Sequence, residues 1–99
     1  MPRTTPPAVT RAAETIGEQL GVWRRLLSLT AEQTVERAGI ARSTLGKIES
    51  GHGDVSFTSI LKVARALGVL DALVLATDPY ETDLGRARAD QTLPRRVRS

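Results

Sequence analysis

A single glycine, Gly39, separates two short segments that each have a helical pattern, and this spacing constrains the fold more than any other feature. The surrounding sequence reads LTAEQTVERAGIARSTLGKIESG. Thr30 is a good N-cap for a helix that we expect to end at Ala38, because glycine adopts the left-handed conformation of a helix C-terminus at low cost. Only Ile40 and one alanine precede the next helical segment, so the two helices must cross steeply. The spacing predicts a helix-turn-helix with Gly39 and Ile40 as its turn.

The second helix of this pair, predicted from about Arg42 to Ser50, has one apolar and one polar face. The residues expected to lie between the two helices are small or aliphatic: Val35, Ala38, Leu45 and Ile48. The residues expected on the outward face are Arg42, Ser43, Gly46 and Lys47. Arginine, serine and lysine reach base edges and phosphates in the major groove, so this face predicts DNA binding. The alternative is that the two cations are ordinary solvated surface charges.

Three further segments have helical or apolar patterns. Apolar residues recur along one helical face at Ile16, Leu20, Trp23 and Leu27. This spacing predicts a first helix from about Thr10, with Trp23 in the core. A fourth helix is expected to begin after a cap at Ser56 or Thr58. Residues 69–77 are compatible with either a short helix or a strand.

These elements predict a compact, all-α five-helix bundle over residues 10–77 that contains the helix-turn-helix. Residues 1–9 include three prolines and are expected to form a disordered lead-in. Residues 78–99 have too few apolar side chains to build a core, so we expect a basic, partly disordered tail. After Gly85 the tail has five arginines and one acidic residue. Such a tail is typical of phosphate contact or of a solvated terminus.

The composition argues against several other classes of protein. The chain has no cysteine and a single histidine, His52, so it offers neither a disulfide framework nor a thiolate metal site. It has no nucleophile–base pattern and no glycine-rich phosphate loop, so we expect no enzymatic activity, cofactor or metal. It has no membrane-spanning run and no signal peptide. A cytoplasmic protein that does not contact membranes is expected.

The apolar residues after the fourth predicted helix exceed what a small bundle needs for its core. We expect part of this segment to form a dimer contact, chiefly Leu70, Leu73 and Val74. One helix-turn-helix contacts little DNA, whereas a two-fold dimer reads both half-sites of a palindromic operator. The expected partners are therefore double-stranded DNA and a second copy of the chain.

The segment from Leu29 to Gly51 resembles the helix-turn-helix of the phage-repressor-like (Cro and XRE) family, and TSILKVARALGV resembles the helix that follows it there. The resemblance implies a lambda-repressor-like fold and a sequence-specific transcriptional regulator. It places three residues at base-facing positions: Arg42, Ser43 and Lys47. It places Thr30 and Thr44 near phosphates, and His52 is expected in a loop beside a phosphate.

The same resemblance implies a structural, non-catalytic ion pair between Arg24 and Glu49, which links the first and third helices. Three features depart from the family pattern, and one of them is Thr34 and Val35 in place of the usual Leu-Ala pair. Ala31 replaces a glutamine that contacts a phosphate in the family, and Gly46 replaces a common serine. Gly46 therefore leaves a bare patch on the outward face.

The C-terminal sequence TDPYETDLGRARADQTLPRRVR resembles the extension of short XRE regulators that accompany HipA-type kinase toxins. This resemblance implies an autoregulating antitoxin that binds a toxin and represses its own operon. The alternative is a stand-alone XRE-family regulator without a toxin partner. The sequence does not identify the operator, the toxin or an effector.

Overall fold

The computed structural model describes residues 4–92, and every regular element in that part of the chain is helical. The elements are α1 (Pro7–Leu26), α2 (Ala31–Ala38), α3 (Arg42–Glu49), α4 (Phe57–Leu67), α5 (Leu70–Ala76), a 3-10 turn (Pro79–Glu81) and α6 (Asp83–Thr92). The predicted all-α class is confirmed, with one α-helix more than the five expected. Both α1 and α2 pack against α3, and α2 also packs against α4.

The core is aliphatic. Its buried residues are Leu20, Leu29, Val35, Ala38, Leu45, Ile48, Val63, Ala64 and Leu67. Thr34 is a buried polar residue, and its hydroxyl donates a hydrogen bond of 2.9 Å to the carbonyl oxygen of Thr30. This bond offsets the cost of placing a hydroxyl among apolar side chains.

Helix α1 begins at Pro7, so the predicted lead-in over residues 1–9 overlaps its first turn. Proline suits this position because its fixed φ angle is already helical and its missing N–H would have no partner in a first turn. At the other end, Ser28 adopts a φ of 57°. The N–H of Leu29 then donates to the carbonyl oxygen of Arg24 at 2.9 Å and closes the helix.

The expected core position of Trp23 is wrong. Trp23 is 45% exposed and Ile16 is 47% exposed, and of the apolar stripe on α1 Leu20 is the residue that is buried. The buried edge of α1 is instead formed by Gly17, Leu20 and Gly21. Small residues allow α3 to approach the α1 backbone closely, so α1 turns its glycines toward α3 while Ile16 and Trp23 stay exposed.

Residues 70–76 form helix α5, which settles the choice between helix and strand. Residues 79–92 of the predicted tail form the 3-10 turn and α6, two elements that the sequence did not predict. Local hydrogen bonds explain this: Asp78 Oδ1 accepts from the N–H of Tyr80, and the Thr82 hydroxyl accepts from the N–H of Gly85, both at 2.9 Å. Helix α6 packs chiefly on the 3-10 turn. The other predicted tail residues, 93–99, lie outside the described residues.

Candidate nucleic-acid interface

The turn between α2 and α3 depends on the backbone conformation of Gly39. Gly39 has a φ of 71°, and its N–H donates to the carbonyl oxygen of Val35 at 2.8 Å. A Cβ at this position would meet no atom within 4 Å, so the left-handed backbone, not space, favours glycine. The next residue, Ile40, is half-buried against the core. Together these two residues reverse the chain and anchor the turn.

The start of α2 is fixed by a reciprocal cap. The Thr30 hydroxyl accepts from the N–H of Gln33 at 3.0 Å, and the Gln33 side-chain oxygen accepts from the N–H of Thr30 at 2.9 Å. Such a capping box satisfies two backbone donors of the first turn. The cap uses the Thr30 hydroxyl as an acceptor, so its own proton is still available to an oxygen of a DNA backbone.

Helix α3 has one buried face and one exposed face. Leu45 and Ile48 are 1% and 3% exposed and fix the inner face. The three residues expected to face bases, Arg42, Ser43 and Lys47, are all exposed. Gly46 lies on the same outer surface, and a Cβ there would meet nothing within 4 Å. These four residues therefore lie on the exposed side of α3, which has two cations.

The other two residues predicted near phosphates are Thr44 in α3 and His52 in the loop that follows it. Thr44 is half-buried, whereas His52 is exposed in the loop after α3. The backbone N–H of His52 donates to the carbonyl oxygen of Lys47 at 2.9 Å, and Gly51 has a φ of 82°. This arrangement closes the C-terminus of α3, as in a Schellman motif. The backbone of His52 is thereby held next to the end of α3.

Arg24 and Glu49 form a two-bond ion pair between α1 and α3. Arg24 Nε donates to Glu49 Oε2 at 2.7 Å, and a second guanidinium nitrogen donates to Oε1 at 3.1 Å. Arg24 also donates to the carbonyl oxygen of Leu29 at 3.2 Å. The hydrogen bond to Glu49 raises the pKa of Arg24, against a smaller opposing effect of burial. This one side chain therefore connects α1, the loop before α2, and α3.

A contact at this face that the sequence reasoning missed joins Arg42 to Glu32. Arg42 Nε lies 3.7 Å from Glu32 Oε1, and the two side chains are 59% and 76% exposed. Glu32 lies in the first turn of α2. The available signal was the geometry of the turn, which places the start of α2 beside the start of α3.

The residues predicted to form a dimer contact lie at positions i, i+3 and i+4 of α5, a spacing that shares one helix face, but they line different concavities. Leu73 is 38% exposed and lines an apolar cavity of about 410 Å³ together with Trp23 and Phe57. Val74 is 62% exposed. Leu70 lies instead at a separate, smaller concavity at the junction of α4 and α5. The exposed Trp23 of α1 extends the apolar surface around Leu73 of α5.

Residues 4–92 contain no group of histidine, aspartate and glutamate side chains arranged to hold a metal ion. Over the same residues, no helix has an apolar stretch of membrane-spanning length. The same residues leave no buried side-chain nitrogen or oxygen without a hydrogen-bond partner.

A short helix seated by a glycine turn, with a buried inner face and a basic outer face, defines a DNA-binding helix-turn-helix. A family model described as helix-turn-helix matches residues 22–71, just over half of the chain. The protein therefore belongs to this XRE-type helix-turn-helix family of DNA-binding transcription regulators. Comparison with curated proteins gave no significant match, and neither did comparison with solved structures.

Proposed function

We propose that this protein is a sequence-specific transcriptional repressor that inserts α3 into the major groove of its operator. The observation that carries the proposal is the outer face of α3, where Arg42, Ser43 and Lys47 are exposed while Leu45 and Ile48 are buried. A helix that only covered a core would not need two cations and a hydroxyl on a bare outer surface. On DNA, those groups match the donors and acceptors of base edges.

In this proposal, six residues divide into two roles. Arg42, Ser43 and Lys47 contact bases. Thr30, Thr44 and His52 contact phosphates on either side of the groove, the first from the start of α2 and the last from the loop after α3. Phosphate contacts set the register of the protein on the duplex, and base contacts give the sequence preference.

The test begins with selection of duplexes from a random pool, followed by affinity measurements on the selected duplex and on a scrambled duplex. Arg42→Ala and Lys47→Ala should each weaken binding to the selected duplex by about 1–3 kcal/mol if they contact bases. Arg65→Ala is the matched control, because Arg65 is an exposed cation in the last turn of α4, at the opposite end of that helix from the loop that follows α3. Equal losses for all three variants would refute the proposal.

The proposed repressor acts as a two-fold dimer on a palindromic operator. Leu70, Leu73 and Val74 of α5 form the contact, and the adjoining exposure of Trp23 supports it by enlarging the apolar surface. Contiguous exposed apolar surface is typical of interaction sites.

Leu73→Asp should convert the dimer to a monomer in sedimentation measurements. Leu84→Asp places the same charge on an exposed leucine of α6 and should leave the mass unchanged. A dimer that survives Leu73→Asp contradicts the assignment.

At a finer level, we propose that the protein is the autoregulating antitoxin of a HipA-type kinase toxin. The resemblance of the tail supports this, and so do the exposed Tyr80 and Leu84, which α6 and the 3-10 turn present to solvent. A kinase-like toxin gene beside the gene for this chain, and co-purification of its product, are the expected results. Failure of that toxin to co-purify with the intact chain would favour the alternative, a stand-alone regulator.

A further inference from the structure

The contact between Glu32 and Arg42 is a feature of the DNA-facing surface to which the family match assigns no role. Their closest approach, between Glu32 Oε1 and Arg42 Nε, is 3.7 Å, and both side chains are mostly exposed. An exposed ion pair of this kind contributes little to stability. The pair is therefore poorly suited to holding α2 against α3, which the buried residues between those helices already do.

The position of Glu32 is nevertheless well defined. The capping box of Thr30 and Gln33 fixes the first turn of α2, and Glu32 lies between these two residues. Arg42 is the first residue of α3. The preceding residue of α2, Ala31, has no polar side chain that could take the same part. Glu32 is thus the acidic group that the fold places beside the outward-facing guanidinium.

We propose that Glu32 is a positioning residue that aims the Arg42 guanidinium at a guanine and weakens binding to other sequences. The proposal rests on the proposed function. A carboxylate on the Nε side leaves the two terminal nitrogens to donate together to guanine O6 and N7, the arrangement that distinguishes guanine in the major groove. The ion pair restricts the Arg42 side chain before DNA binds, so less conformational entropy is lost on binding.

The same carboxylate opposes binding where no guanine is available. Phosphate attraction dominates affinity for DNA irrespective of sequence. Glu32 lies near the start of α2, where it adds a negative charge close to the phosphate backbone of a bound duplex. It also partly neutralises the charge of Arg42. The Glu32 carboxylate should therefore lower the affinity for duplexes that lack the matching guanine and raise the affinity for the duplex that has it. Both effects raise the ratio of specific to non-specific affinity.

The experiment measures that ratio for the selected and the scrambled duplex at one fixed salt concentration. Glu32→Gln, which keeps the side-chain shape, should lower the ratio about three- to tenfold, part of the discrimination that one bidentate guanine contact provides. Glu36→Gln is the matched control, since it removes the same charge from an exposed position on α2. It should raise both affinities and leave the ratio unchanged.

A double-mutant cycle with Arg42→Ala isolates the pair. In that background, Glu32→Gln should leave the ratio unchanged, because the guanidinium it positions is absent. Circular dichroism of each variant should show the wild-type helix content. If Glu32→Gln keeps the wild-type affinity ratio, or lowers that ratio equally in the Arg42→Ala background, the proposed role of Glu32 is overturned while the proposed function is unaffected. A wild-type chain that prefers no sequence would overturn the proposed function and this inference with it.

Discussion

Replacing Gly17 by alanine tests the contact that seats α3 on α1. Gly17 is buried in α1, and a Cβ there would lie closer than 3.0 Å to the carbonyl oxygen of Ile48. It would also lie 3.2 Å from the backbone nitrogen of Gly51. Both obstacles are backbone atoms at the end of α3, which cannot rotate away as a flexible side chain can. The added methyl group must therefore push the two helices apart.

The expected magnitude follows from two opposing effects. Overpacking costs about 1–3 kcal/mol when neighbours can adjust, and here they are backbone, so we take about 3 kcal/mol. Alanine in place of glycine in a helix returns about 1 kcal/mol through its higher helix propensity. The net loss is about 2 kcal/mol of unfolding free energy. For a chain of this size, that corresponds to a fall in Tm of about 8–16 °C.

Thermal and urea unfolding followed by circular dichroism measure this loss. Gly46→Ala is the matched control: it makes the same change within a helix, but its new Cβ meets no atom within 4 Å. It should gain about 1 kcal/mol and raise Tm by about 4–8 °C. The two substitutions are thus expected to have opposite signs. Alanine at position 17 that stabilises the protein as much as alanine at position 46 would refute the reasoning.

Three further predictions concern stability. Ser28→Gly should raise the unfolding free energy by about 0.5–1 kcal/mol, because Ser28 has a left-handed φ of 57° that glycine adopts without strain; an unchanged Tm would contradict this. Arg24→Ala should lower it by about 1–3 kcal/mol, since the partly buried Glu49 carboxylate loses two hydrogen bonds; urea midpoints of Arg24→Ala, Glu49→Ala and the double variant measure the coupling between the two side chains. Gly85→Ala should reduce the helicity of α6 in NMR chemical shifts, because its Cβ would overlap the carbonyl oxygen of Pro79. Thermal unfolding of the remaining helices should then stay unchanged, and a general loss of stability would show that α6 is part of the core.

The helix-turn-helix could be predicted from sequence because its signals are local. Gly39 and Gly51 mark helix ends, and Thr30 has the residue type of a cap three positions before Gln33. Leu45 and Ile48 have the spacing of one helical face, and both are buried. Each of these features depends on residues within one or two turns of each other, so no knowledge of the remaining fold was needed.

The errors arose where distant contacts or backbone geometry decide. A hydrophobic stripe on α1 predicts a buried Trp23, yet close packing against the Ile48 carbonyl selects the glycine edge instead. Helix α6 forms without a hydrophobic core of its own, through the caps at Asp78 and Thr82. The approach of Glu32 to Arg42 depends on the crossing of α2 and α3, which spacing alone does not specify.

The close contact of α1 with the end of α3 also affects how a bound duplex must behave. Gly17 contacts the last turn of α3, and a Cβ on Gly51 would lie 2.7 Å from the Cα of Glu14. The backbones of α1 and α3 are therefore too close for a change in the angle between the two helices. The protein therefore cannot tilt α3 to fit a groove of different shape. Any misfit must be absorbed by twist, roll or groove width in the DNA, whose stiffness depends on base sequence. Base pairs that no side chain touches should then still influence affinity.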